Sequence, residues 1–293
     1  MRVFVTGATG LIGSALMDEL IRHGHSVIGL ARSEASTRAI EAAGGKALPG
    51  ALADLNVLRM GAAAADGVIH LAFANDFSSP DALARSVAEE SAAMAALGDA
   101  LIGSDRPMVT VSGTPLTAGR PSTEADPLPT DGPVGGRGRA VEAILALARS
   151  GVRVSAVRLP RTVHNKGNGG FAGLLTKIAR QRGVSGYPGT GAQRWPAVHA
   201  LDAAALFRIA LEQAEAGTSW HAVADEGDKV GDIAAVIGRR LGIPAQAVDD
   251  SVFGPLAPIF LADQPSSSAL TRKLLGWSPK HPSLLSDLEN LQP

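Results

Sequence analysis

Val5-Thr6-Gly7-Ala8-Thr9-Gly10-Leu11-Ile12-Gly13 decides the fold of this chain. The apolar run Val3-Phe4-Val5 before it reads as a short buried strand. After it, Leu11 to His23 carries Leu16, Leu20 and Ile21 at helical spacing and is closed by Gly24. Three glycines between a strand and a helix have separate tasks. Gly7 permits the tight turn, Gly10 lets backbone approach a pyrophosphate at the positive helix N-terminus, and Gly13 lets the helix pack closely. Thr9, Leu11 and Ile12 complete that cradle. The next β-type run, Ser26-Val27-Ile28-Gly29-Leu30, follows at the distance expected of a mononucleotide-binding unit.

Further along, Gly67-Val68-Ile69-His70-Leu71, Met108-Val109-Thr110-Val111 and Val152 to Val157 repeat the buried-strand pattern. Helical stretches at Asp81 to Leu101 and Ala140 to Ser150 separate them. Strands alternating with helices predict an α/β, doubly wound parallel sheet of the Rossmann type, covered on both faces. Residues 1–160 are read as the dinucleotide-binding core. Residues 161–293 are read as mainly a small C-terminal substrate-binding lobe, with segments returning to the core. There, helical patterns at Phe171 to Arg182, Leu201 to Ala214 and Val230 to Leu241 alternate with turn-rich sequence. Segment 114–136 has no period and is rich in Pro, Gly, Thr and Asp, as a lid or binding loop would be.

Composition bounds the function. The 293 residues carry 27 basic and 28 acidic side chains, so no cationic surplus exists to hold nucleic acid. Cysteine is absent, which excludes disulfides, thiolate nucleophiles and cysteine-ligated metal. No apolar stretch approaches the ~20 residues of a membrane span, and the N-terminus lacks the features of an export signal. A cytoplasmic protein with a small-molecule substrate is expected. The seven histidines form no metal-ligand spacing, and no Gly-x-Ser-x-Gly elbow surrounds Ser112.

The Thr-Gly-x-x-Gly-x-x-Gly spacing resembles the extended and atypical short-chain dehydrogenase/reductases, the NAD-dependent epimerase/dehydratase-like proteins. The resemblance runs over most of the chain. His70-Leu71-Ala72-Phe73 is similar to the family's segment along the cofactor, and Ser112-Gly113-Thr114 falls where the family places its catalytic serine. Arg158-Leu159-Pro160 is similar to the segment flanking the nicotinamide, and Trp195 to Asp202 to a stretch that joins the substrate region to the core. The resemblance implies a nicotinamide dinucleotide cofactor and a dimer formed through helices on the sheet's face. Arg32 and Ser33 end the second strand where NAD-binding relatives carry an acidic residue, which favours a 2′-phosphate and so NADP over NAD. The aspartate that usually meets the adenine is missing: the matching stretch reads Gly50-Ala51-Leu52, with Asp54 beyond it. Ala51 and Leu52 are thus expected to hold the base by apolar contact.

The family's Tyr-x-x-x-Lys pair is also missing. The one tyrosine is Tyr187, no lysine lies between Lys46 and Lys166, and the matching positions are Val134 and Gly138. The candidates to replace it are Ser112 and Thr114 as hydroxyl donors, His164 as a group titrating near neutrality, and Arg139 as a holder of ribose, phosphate or carbonyl. The resemblance, with Arg32 at the second strand's end, implies an NADP(H)-dependent oxidoreductase for a small or medium carbonyl or alcohol, with a non-tyrosine group or water handling the proton. A dinucleotide-binding regulatory protein that has lost turnover is the alternative. A nucleotide-sugar epimerase or dehydratase ranks third, because those reactions also lean on the tyrosine.

Overall fold

The computed structural model describes residues 1–74, 76, 79–132 and 135–292. Val134 lies outside them. Seven strands form one parallel sheet: β1 (Arg2–Thr6), β2 (Ser26–Ala31), β3 (Lys46–Pro49), β4 (Gly67–His70), β5 (Pro107–Gly113), β6 (Arg153–Leu159) and, from late in the chain, β10 (Thr218–His221). Their order is β10-β6-β5-β4-β1-β2-β3. The register places Val3 beside Val27 on one side and Gly67 on the other. Strand order reverses between β1 and β4, and in open α/β sheets ligands bind at the carboxyl ends of the strands flanking such a reversal.

Successive side chains of β1 point to opposite faces, yet all after Arg2 are buried. Val3 and Val5 join Leu16 and Leu20 of α1 (Leu11–Arg22) in one core, and Phe4 joins a second core on the other face. On the Val3 side, α2 (Glu34–Ala42) contributes Ile40. Opposite lie α3 (Leu55–Ala63), α4 (Pro80–Asp99) and α5 (Gly135–Leu145). The predicted helix at 140–150 therefore starts five residues earlier, and its last turns are a 3-10 helix, Ala146–Ser150.

The smaller lobe is built on β7 (Thr162–His164), α6 (Gly170–Arg182), β8 (Ser185–Pro188) and β9 (Arg194–His199). From β9 the chain returns to the main sheet as α7 (Ala200–Gln213), which packs Phe207 and Leu211 into the α1-side core. After β10 come β11 (Asp225–Lys229), α8 (Val230–Leu241), β12 (Ala245–Val248), α9 (Ala257–Leu261), α10 (Ala269–Leu275) and α11 (Leu284–Leu288). Trp195, Phe260, Ile233 and Leu284 fill the lobe's own core. Among the described residues no helix is long and apolar enough to cross a membrane.

Candidate functional site

The turn after β1 is shaped by contacts that glycine alone permits. Gly7 has φ +74°, and a Cβ there would lie 2.9 Å from the Ala72 amide nitrogen, so this loop and the loop after β4 touch. A Cβ on Gly13 would fall 2.0 Å from the Gly7 carbonyl oxygen. The close approach that Gly13 serves is thus against the glycine turn itself. Gly10 is the N-cap of α1 and meets only the Gly7 carbonyl at 3.4 Å, leaving its outer side open.

No side chain caps α1, and its first backbone acceptor bond runs from Ser14 N–H to Gly10. The amides of Leu11, Ile12 and Gly13 have no acceptor among the described residues. Three amides at the positive end of a twelve-residue helix form an anion cradle that fits the pyrophosphate of a dinucleotide.

Across the strand reversal, the Thr6 hydroxyl meets His70 Nδ1 at 2.8 Å and accepts from the amides of Leu71 and Ala72, each at 3.3 Å. With both lone pairs engaged, the hydroxyl hydrogen goes to His70 Nδ1, which puts the ring proton on Nε2. That Nε2 is buried and unpartnered. Burial, followed by the positive charge of Arg137, lowers the imidazole pKa to about 3, so His70 is neutral.

Arg32 is exposed at the end of β2 with no ionic partner among the described residues, and Ser33 caps α2 by accepting from Ser36 N–H at 3.2 Å. Asp54 is exposed at the N-cap of α3. Its carboxylate accepts from the Ala51 amide at 2.6 Å and closes the turn holding Ala51 and Leu52. Beside that turn a cleft of about 500 Å³ opens between α3 and α4, walled by Ala53, Leu55, Ala74 and Ala82, with Arg85 and Glu89 at its polar side.

Ser112 and Thr114 end β5. Ser112 is 7% exposed, and its hydroxyl has no hydrogen-bond partner among the described residues while keeping contact with solvent. Thr114 is held on both sides, its amide donating to Leu159 at 2.9 Å and its carbonyl accepting from Gln264 Nε2 at 2.6 Å. Pro160 is buried after β6.

The other two candidates point elsewhere. His164 is not on a surface loop: it is 1% exposed in β7, its Nδ1 is 2.9 Å from Asp287 of α11, and its Nε2 is sealed. Arg139 is exposed and donates to the carbonyl of Thr130. Tyr187 lies in β8, paired with Ala247 of β12.

The position matching the missing lysine is physically filled. A Cβ on Gly138 would stand 2.1 Å from the carbonyl oxygen of Pro129, and one on Gly135 2.5 Å from Thr130 backbone. Within the segment predicted as a lid, the stretch around Glu124 and Asp126 is pinned to the body of the protein. Buried Arg158 donates to the carbonyls of Glu124 at 3.3 Å and Asp126 at 2.7 Å, and Glu124 accepts from the Thr271 hydroxyl at 2.6 Å and amide at 2.8 Å. The Asp126 carboxyl is held well below the carboxylate range by Arg120 and the Thr123 amide.

Arg137 stands with Arg139 at the helix start, and what escaped the sequence reading is its partner. Arg137 donates from Nε and Nη2 to both oxygens of Glu90, at 2.6 and 2.7 Å, with its guanidinium 4.1 Å over the Phe73 ring. Glu90 is 1% exposed. The signal was present: Glu90 shares one helical stripe with Val87, Met94 and Leu97, and a carboxylate on an apolar stripe requires a cationic partner.

A parallel sheet in this order, with an uncapped glycine turn at its strand reversal, defines an α/β fold of the Rossmann type. The chain belongs to the NAD dependent epimerase/dehydratase family, which it matches over residues 3–223. It is 42% identical to an uncharacterized protein of Schizosaccharomyces pombe over 294 residues and to one of Saccharomyces cerevisiae over 298, covering 98% of each chain in both pairs. A shorter match, 35% over 135 residues, covers 44% of this chain and 40% of a 4-hydroxy-2-methyl-3-oxo-4-farnesyl-3,4-dihydroquinoline-1-oxide ketoreductase of Stigmatella aurantiaca. Among solved structures, UDP-glucose 4-epimerase of Thermotoga maritima superposes with TM-score 0.80 at 19% identity, over 99% of this chain and 97% of that one. A dTDP-glucose 4,6-dehydratase of Streptomyces venezuelae, solved with NAD, gives 0.78 at 17%, over 99% and 95%. At these identities the shared property is the fold.

Proposed function

We propose that the chain is an NADP(H)-dependent oxidoreductase acting on a small or medium carbonyl or alcohol. The observation that carries this is an open amide cradle at Gly10 on the same sheet edge as the unbonded Ser112 hydroxyl. A bound nicotinamide dinucleotide supplies or accepts the hydride at the substrate carbon. Gly7, Thr9, Gly10, Leu11 and Ile12 hold its pyrophosphate. Leu71, Ala72, Phe73 and Pro160 line its course, and Ala51 and Leu52 flank the base. Arg32 and the Ser33 hydroxyl receive the 2′-phosphate. Ser112 and Thr114 orient the substrate oxygen. The proton reaches that oxygen through the Ser112 hydroxyl or water, since His164 is closed on Asp287 and Arg139 on Thr130. Residues 161–293 supply most of the substrate lobe. A carbonyl substrate agrees with the partial match to a ketoreductase.

Titration with NADPH, followed by loss of its nicotinamide absorbance with a panel of ketones, aldehydes and activated alkenes, tests this. Oxidation with any member supports turnover. Tight binding with no oxidation across the panel supports the second reading, a regulatory dinucleotide-binding protein, which the filled lysine position at Gly138 favours. Nucleotide-sugar epimerisation or dehydration has the structural neighbours on its side but needs the same absent tyrosine. Arg32→Ala is expected to lower the ratio of NADP to NAD affinity by tenfold or more, worth about 1.4 kcal/mol. An unchanged ratio would remove Arg32 from its role. A cytoplasmic homodimer fits this reading.

A further inference from the structure

We propose that Arg137, one residue before the blocked lysine position, holds the ribose diol of the cofactor's nicotinamide half. This rests on the dinucleotide reading above. The adenosine half is assigned to the β2–β3 side of the strand reversal by Arg32 and Ala51. The other half therefore extends over β4 and β5. Arg137 stands there: its guanidinium covers Phe73 in the loop leaving β4, and its charge reaches His70 at the end of that strand.

Of the five guanidinium N–H groups, Glu90 takes two, and no other described residue accepts from the remaining three. The side chain is 25% exposed, so part of it can be reached from solvent. Glu90 also fixes what that ligand can be. A bidentate carboxylate at 2.6 and 2.7 Å offsets most of the guanidinium charge, so an anion gains less there than at an unpaired cation. A neutral vicinal diol, with two acceptor oxygens side by side, matches a planar fork. Phe73 and Glu90 lock the rotamer, so the donors are in place before the ligand arrives.

The test uses the full chain and two ligands, NADPH and 2′,5′-ADP, which carries the adenosine half alone. Their affinities are measured by calorimetry for the parent, for Arg137→Lys, and for the double variant Arg137→Gln/Glu90→Gln, which leaves no buried charge behind. The expected result is a loss of NADPH affinity of about tenfold or more in the double variant and several-fold in Arg137→Lys, with 2′,5′-ADP unchanged in both. NADPH binding equal to the parent in both variants overturns the assignment. Equal loss of both ligands overturns it too, because it marks a packing role for the ion pair. A parent that binds neither ligand sinks the dinucleotide reading itself, a result distinct from either.

Discussion

At Gly138 the helix meets a carbonyl where a side chain would begin. Replacing an exposed mid-helix glycine with alanine ordinarily stabilises by about 1 kcal/mol. Here the added carbon would stand 2.1 Å from Pro129 oxygen, and overpacking against backbone costs about 1–3 kcal/mol. Gly138→Ala is therefore expected to lower the urea midpoint, and Gly138→Lys is expected neither to fold better nor to restore a tyrosine-type dyad. His70 makes a second residue-level prediction. In the unfolded chain it titrates near 6.5, whereas the native ring stays neutral down to about 3. Between those values the unfolded state binds the extra proton, so His70 stabilises the fold above about pH 6.5 and that contribution is lost as pH falls. The slope is about 1.4 kcal/mol per pH unit. Unfolding free energies of parent and His70→Asn, taken from urea titrations between about pH 7 and 4.5, should diverge in slope by about that amount.

At the scale of elements, the 114–132 segment owes its order to groups far away in sequence. Glu124 reaches Thr271 at the start of α10, and Ser122 bonds Ser266 at 2.8 Å. Glu124→Ala leaves the buried Thr271 amide without an acceptor, a loss of about 1–3 kcal/mol. Limited proteolysis should then cut within 114–132 faster than in the parent, before the sheet unfolds; an unchanged cleavage rate would show that Arg158 alone suffices. The composition of this segment marked it correctly as irregular. It could not tell a mobile lid from a pinned stretch, because rigidity here comes from Arg158 and Glu124, whose partners lie on other elements. The α4–α5 contact illustrates the same limit. Helical spacing put Glu90 on a buried stripe, but only packing brings Arg137 to it.

For the whole molecule, binding and folding are linked through the uncapped helix at the strand reversal. NADPH at a hundredfold its dissociation constant should add about 2.7 kcal/mol to the unfolding free energy. Gly10→Asp separates the two effects. Gly10 has φ −77°, open to any residue, and aspartate is a strong N-cap, so the unliganded protein should unfold at an equal or higher urea concentration. The same carboxylate would occupy the amide cradle, so the protection given by NADPH should vanish. Protection that persists in Gly10→Asp would place the ligand elsewhere.

The sequence by itself determined the sheet, its covering helices, the glycine turn and the loss of the tyrosine–lysine pair. These depend on local periodicity and on residue types simply present or absent, which are legible without coordinates. Tertiary structure alone decided that Asp54 bonds the Ala51 amide, that His164 is sealed against Asp287, that Arg139 bonds the Thr130 carbonyl and that Arg137 pairs with Glu90. Each is a choice among hydrogen-bond partners separated by a turn, a domain or most of the chain. Such choices are set by which groups burial brings within about 3 Å of one another, a quantity that no spacing along the chain encodes.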